Sequence, residues 1–479
     1  MGILEKDENI TEQMVEIVEH LQQYVPRTTD NKIIPILLGG DALSVERGEA
    51  ARRARSDSFL PEDRLDGLVW KSEDWHGHVI SLQETFNILY KGTSSGEKGT
   101  LFQLRNQFDR RGVKSEVKNS VNDCREFFRF VTKGYIILAA LKLLGLSSLD
   151  QFESIKTSTE KEEQKSFLEK LSSDIVSQFI ATEEFKFEKT VPEQTRTIQR
   201  VPCGYPGCPK SFAVDGRCRQ KHCDTCMYKH FTALNENESN NISPPEDVSD
   251  NPSNISKDDD FKFNYVCNVL REGLMDWNRE DASKENDGDR IIRLWRFDML
   301  KFFMTHHTKY CLLGFKLQSQ IMALLTPRLA FELKHNRSIN IHDGEGGNVP
   351  GDLALEFMNM RAKDALHALR GSITSASIQR VGRSLQGCNH IIDAYTKGLD
   401  QFFGKPSNWK PTLKKDIETF VKELSSEDLF NRRPGRHFRS FQKIDFETLD
   451  KLDRKKLSKW LTVQKGEFAK LQRSRSYVI

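Results

Sequence analysis

The run IIPILLGGD at residues 33–41 is the feature that most constrains this chain. Five aliphatic residues surround one proline, two glycines follow, and Asp41 closes the run. So short an apolar stretch is below helix length, and its Ile and Leu suit a parallel strand covered on both faces. Gly39 and Gly40 are read as the place where the backbone turns. Asp41 then sits just past the carboxyl end of the strand, the edge at which open α/β sheets collect ligands and metals. The same aspartate suits the N-cap of a helix over 42–55, and on this stretch alone the cap is the simpler reading.

A second short strand is expected over 64–70, leading into Asp74, Trp75, His76, Gly77 and His78. A His-x-His pair beside an aspartate has the donors for a metal, but histidines near a strand end are more often hydrogen-bonded structure. The arginines of the 42–55 helix (Arg47, Arg52, Arg53 and Arg55) read as a solvated face. Around this α/β piece the pattern is helical. Helices are expected over 9–24, 79–90, most of 102–144, 160–185, 261–277 and 290–335, with Gly145 as a stop and Pro327 as a break. Phenylalanine and tryptophan at this density fill a core rather than form a platform for bases.

With 479 residues there is room for roughly two to four domains. The net charge of +3 announces no global field toward nucleic acid or membrane. Residues 1–20 lack the pattern of a secretory signal, and the best apolar run, 135–144, is short and interrupted by Lys142. The expectation is a soluble intracellular protein without a membrane partner.

Five of the nine cysteines (Cys203, Cys208, Cys218, Cys223 and Cys226) cluster in VPCGYPGCPKSFAVDGRCRQKHCDTCMYKH. Clustering without a secretory signal argues for metal over disulfides. Cys203 and Cys208 share a Gly- and Pro-rich turn, and His222 and Cys226 follow one helical turn apart. Together they supply the tetrahedral set of a structural Zn²⁺ site, with Phe212 as its small core. Cys218, Cys223 and His230 compete for the last position. The segment resembles a two-Cys two-His finger whose final histidine is replaced by Cys226. One such finger reads only about three base pairs, so it fits structure or protein contact as well as DNA. The polar stretch 235–260 that follows reads as a disordered linker.

A Gly-rich loop at 344–347 leads to Pro350 and a helix that carries Glu356 among Leu353, Leu355, Phe357, Met358 and Met360. A carboxylate on so apolar a helix calls for a pairing partner or a cation. Asp352 and Asn359 lie within a turn of it. Toward the C-terminus, Arg432, Arg433, Arg436, Arg439, Arg454, Lys455, Lys456, Arg473 and Arg475 make a basic tail, either a DNA-contacting patch or a solubilising surface. Trp460 and Leu461 belong to a helix expected to dock back on the body.

Several blocks, including GGDALSVERGEAARRARSDS, HGHVISLQETFNILYKG, GDRIIRLWRFDMLKFF and NVPGDLALEFMNMRAKDAL, resemble a multi-copy, transposon-derived family of unknown function whose members often carry a zinc knuckle. The pattern is distantly similar to ribonuclease-H-like transposases of the Kyakuja–Dileera–Zisupton and hAT kinds. That resemblance implies a mostly α protein with a small α/β, ribonuclease-H-like remnant, a large helical insertion and an inserted zinc finger. It aligns Asp41 with the second catalytic acid and Glu356 with the last, and it implies two Mg²⁺ ions about 4 Å apart acting on a phosphodiester. No strand precedes residue 33 to carry the first acid, since Asp30 lies in a loop.

The expected segments are an N-terminal helix (1–30), the α/β remnant with helices (31–195), the zinc knuckle (198–232), the linker (233–260), a helical region with Glu356 (261–400) and the basic tail (401–479). The functional expectation is a transposase-derived, zinc-binding, nuclear protein that associates with DNA and is catalytically incomplete. The alternatives are an active metal-dependent transposase or nuclease and a zinc-stabilised interaction scaffold.

Overall fold

The structure, a computed structural model, describes residues 4–154, 160–181, 200–202, 211–213, 222, 259–341, 344–367, 374–403 and 413–473. The chain forms two compact units, one made of Met1–Ile180 with Ser256–Ile479 and the other of Ala181–Ile255.

The first unit is mostly helical, with a few small strands. Helix α1 (Thr11–Leu21) buries Met14 and Val18, as helical spacing predicts, together with Val15, while Ile17 and Leu21 pack half-buried against the same cluster. Strand β1 (Ile36–Gly40), helix α2 (Ala42–Ala54) and strand β2 (Leu68–Ser72) follow as a β–α–β unit. The two strands pair in parallel, with Ile36 opposite Leu68 and Gly40 opposite Ser72. Parallel strands require a crossover connection, and α2 is that crossover. It lies on the sheet closely enough that a Cβ at Gly48 would come within 2.0 Å of the Trp70 indole. Side chains of α1, α2 and both strands share one apolar cluster around Val18, Ala51, Leu65 and Trp70.

Gly39 and Gly40 lie inside β1 and do not turn the chain. Gly39 is small for another reason: the Glu73 carboxylate crosses over it, 1.8 Å from where a Cβ would stand. The arginines of α2 are not a uniformly solvated face either. Arg52 is fully buried, with carboxylates of Asp66 and Glu49 at 3.7 and 3.9 Å, while Arg47 and Arg55 each reach a glutamate at 2.6 Å.

Beyond β2 run α3 (Trp75–Leu89), α4 (Leu101–Gln107), α5 (Val121–Leu143) and α6 (Lys161–Phe179). After the second unit come α7 (Phe261–Lys284), α8 (Gly288–Met304), α9 (Thr308–Ser319) and α10 (Pro327–His335). Local chemistry sets these boundaries. Asp260 and Asp287 cap α7 and α8, Thr326 and Pro327 open α10, and Gly145 follows α5 at φ +68°. Phe86, Phe128, Tyr135, Tyr265 and Leu270 form the middle of the largest core.

A hairpin of β5 (Ser338–Asn340) and β6 (Asn348–Pro350) turns through Gly344 and Gly346, both at positive φ. It feeds α11 (Gly351–His367), which packs on β1 and α3, and then α12 (Ser375–Phe403). Helix α11 is less enclosed than its composition suggests: Leu355, Phe357, Met358 and Met360 are all exposed. Helix α13 (Leu413–Ser425) returns to the main core through Phe420, and α14 (Arg454–Arg473) sets Trp460 against Phe303 and Phe315.

The second unit contributes the antiparallel pair β3 (Arg200–Pro202) and β4 (Ser211–Ala213), with Val201 opposite Phe212. Cys203, Cys208 and Cys226, together with Cys218, Cys223 and His230, lie outside the described residues. His222 is described as half-buried. Residues 235–258 of the expected linker also lie outside them.

Candidate functional site

The carboxyl ends of β1 and β2 meet the start of α3 and the start of α11, and a group of acidic and basic side chains gathers there. Asp41 leaves β1 and caps α2, its Oδ1 accepting hydrogen bonds from the Leu43 and Ser44 amides at 3.1 and 2.7 Å. The cap foreseen from sequence is therefore real. Its Oδ2 accepts none from the described residues, and the side chain is only half-buried.

The end of β2 supplies Lys71, Glu73 and Asp74, all buried. Asp74 accepts from Trp295 Nε1 at 2.7 Å and from two nitrogens of the buried Arg337, at 2.8 and 2.5 Å. Arg337 also donates to the Ser72 carbonyl, which locks the hairpin onto the strand end. Lys71 Nζ bridges Glu73 Oε1 and the Asn336 carbonyl, each at 2.7 Å. Burial pushes the Glu73 carboxyl above the usual carboxylate range, with Lys71 and Arg337 pulling the other way. Its Oε2 is buried without a hydrogen bond.

Asp352, at the start of α11, reaches across the chain to the start of α3. Its two oxygens accept from the Trp75 and His76 amides at 3.1 and 3.0 Å, and Oδ2 also meets His76 Nδ1 at 3.0 Å. A carboxylate on the first amides of a helix satisfies donors that have no partner within the helix. The hydrogen bond to Asp352 raises the His76 pKa above its ordinary value against the cost of burial. The negative charges of Asp352, Asp41 and Glu356 add to that rise. Glu356 stands one turn beyond Asp352, half-buried, and accepts no hydrogen bond from the described residues. Tyr310 feels the charges of the same group. Burial, with help from Asp41 and Asp352, pushes its hydroxyl up to about 12.

Asp41 and Glu356, 315 positions apart in the chain, are thus brought around one imidazole. Asp352 and His76 complete the group. The sequence offered Asp352 as a neighbour of Glu356, but nothing in local spacing tied it to α3. Among the described residues, no three or more His, Cys, Asp or Glu side chains are arranged to hold a metal ion. The other half of the His-x-His pair behaves differently. His78 is wholly buried, and burial, followed by the charges of Arg279, Arg125 and Arg337, lowers its pKa well below the ordinary value. It lines a cavity of about 120 Å³ with Trp75, Arg125, Asp276, Arg279 and Pro350.

The sequence pattern of a family of unknown function, DUF6589, matches residues 1–407. The chain belongs to that family. Nothing among curated proteins or solved structures matches this DUF6589 chain. The matched span contains every residue of the Asp41–His76–Asp352–Glu356 group, whereas α13 and α14 lie beyond it. No helix among the described residues is long and apolar enough to cross a membrane.

Proposed function

We propose that this DUF6589 chain is a transposase-derived, zinc-binding protein that associates with DNA and is catalytically incomplete. The observation that carries the reading is the state of the acids at the parallel strand ends. Asp41 stands at the carboxyl end of a parallel strand, an edge at which open α/β sheets collect metals, and Glu356 lies near it, yet the third acid there, Asp352, spends both oxygens on α3 and His76. A hard dication needs several oxygen ligands at once. Here Asp352 is hydrogen-bonded to the His76 ring, and the charges of Asp352, Asp41 and Glu356 all favour the protonated form of that imidazole. Mg²⁺ would have Asp41 Oδ2 and Glu356 as ligands and would supply water activation; Asp352 would have to give up α3 to join them.

DNA association is supported by Arg454, Lys455, Lys456 and Lys459, all exposed on the first turns of α14. Cations oppose the helix dipole at that end, so the local structure gains nothing from them. Two basic residues of the tail are structural instead: Arg436 binds the buried Asp260 and Arg433 binds Asp428. Zn²⁺ would be held by Cys203, Cys208, His222 and Cys226, and a nuclear location accords with the whole reading.

The test is duplex binding across a salt series, alongside Mg²⁺-dependent nicking. We expect binding that weakens with salt. Replacing Arg454, Lys455 and Lys456 by alanine should reduce the slope of log K against log salt by about 2 to 3. We expect no nicking above background. Nicking that disappears in Asp41→Ala/Glu356→Ala would overturn the incomplete-centre reading in favour of an active nuclease. That second reading draws support from the half-exposed Asp41 and Glu356 around one point. Absence of binding at low salt would favour a zinc-stabilised interaction scaffold.

A further inference from the structure

Helix α12 carries a heptad. A seam of apolar residues recurs at alternating intervals of three and four from residue 378 to residue 402, with Ile391 and Phe403 apolar and exposed beside it. Ile378, Leu385, Ile392 and Leu399 occupy the a positions, and Val381, Cys388, Tyr395 and Phe402 the d positions. Sustained spacing of this kind makes a straight seam that fits another helix, knob into hole, rather than the broad face that packs on a globular core.

The structure leaves the second half of that seam uncovered. Ile378, Val381 and Leu385 are half-buried, whereas Ile392, Tyr395 and Phe402 are 57%, 69% and 86% exposed. Helix α11 packs on α12 and is tied to it by Arg361 and Asp393, 3.1 Å apart at a b position outside the seam. Three glycines, Gly382, Gly387 and Gly398, weaken α12 as a solitary helix, so its second half depends on packing for stability.

We propose that α12 pairs with α12 of a second copy of this chain. The charge pattern suits that occupant. Every charged residue of the helix (Arg380, Arg383, Asp393, Lys397 and Asp400) falls at b, c or f, away from a partner. The e and g positions, where charges choose partners and repel wrong ones, hold only uncharged residues, from Gly382, Ser384 and Asn389 to the apolar Ile391 and Phe403. Two identical helices therefore meet without a like-charge pair.

Cys388 lies on this seam and is the exposed cysteine among the described residues; Cys124, Cys267 and Cys311 are buried. Its alkylation therefore reports whether the seam is covered. The experiment measures the mass of the full-length chain by sedimentation across a concentration series. It follows Cys388 alkylation at each concentration by peptide mapping. We expect a monomer–dimer equilibrium in which Cys388 protection rises with the dimer fraction. In Ile392→Glu/Tyr395→Glu the dimer and the protection should both be lost. Both sites are exposed in the monomer, so an unchanged circular dichroism spectrum will confirm that the variant folds. A chain that stays monomeric, a dimer that leaves Cys388 reactive, or a dimer that survives the double substitution would each overturn the proposal. So would a seam filled by a different protein when the two compete.

Discussion

At the scale of single residues, the two histidines of one His-x-His pair are set to opposite tasks. His76 has a raised pKa, so the stability it contributes is complete below about pH 6.5, the unfolded value, and is lost as pH climbs through its folded value. His78 has a lowered pKa, so its contribution is complete above about pH 6.5 and is lost as pH falls from there. Histidine NMR titration should place His76 above and His78 below that value. Asp352→Asn should lower the His76 pKa most, and Glu356→Gln should lower it by less. A His76 that titrates alike in wild type and Asp352→Asn would show that the ring does not bond this carboxylate. The sequence made Asp41 legible because a helix cap is a local object, decided within three residues. His76 and Asp352 belong together only through a contact spanning 276 positions, which no local spacing encodes.

At the scale of elements, the β–α–β unit was readable because a short aliphatic run and a following helix are both local patterns. What the run did not reveal was the reason for its glycines. Gly39 leaves room for Glu73, and on α2 Gly48 leaves room for Trp70, each a contact made by a separate element. Gly48→Ala should therefore cost about 1 to 3 kcal/mol through overpacking, although alanine is the better helix former. A urea midpoint equal to or above that of wild type would refute the close packing of α2 on β2. The helix bearing Glu356 misled in the opposite way. Its apolar composition implies burial, but Leu355, Phe357 and Met360 are exposed on it. Composition cannot distinguish a face turned to the core from one left for another helix; the heptad of α12 can.

At the scale of the whole molecule, the first unit is closed by its last segments. Phe420 is fully buried among Phe108, Phe130 and Tyr135, directly over Gly134, where a Cβ would come within 2.3 Å of its ring. Phe420→Ala should cost about 3 to 5 kcal/mol, read as a fall in the urea midpoint. A chain cut after residue 407 should fail to fold cooperatively, since it also loses Val421, Leu424, Phe438 and Phe441 from the same core. Cooperative unfolding of the cut chain would show that the family-matched span is a domain by itself. The bond from Asp352 to the start of α3 adds a matter of timing. Residues 75 and 352 are separated by 277 positions, and a ribosome adding about 5–20 residues per second needs roughly 15 to 55 s to cover them. For that interval the first turn of α3 exists without the carboxylate that completes it. The corner around His76 is consequently among the last parts of the newborn chain to be assembled.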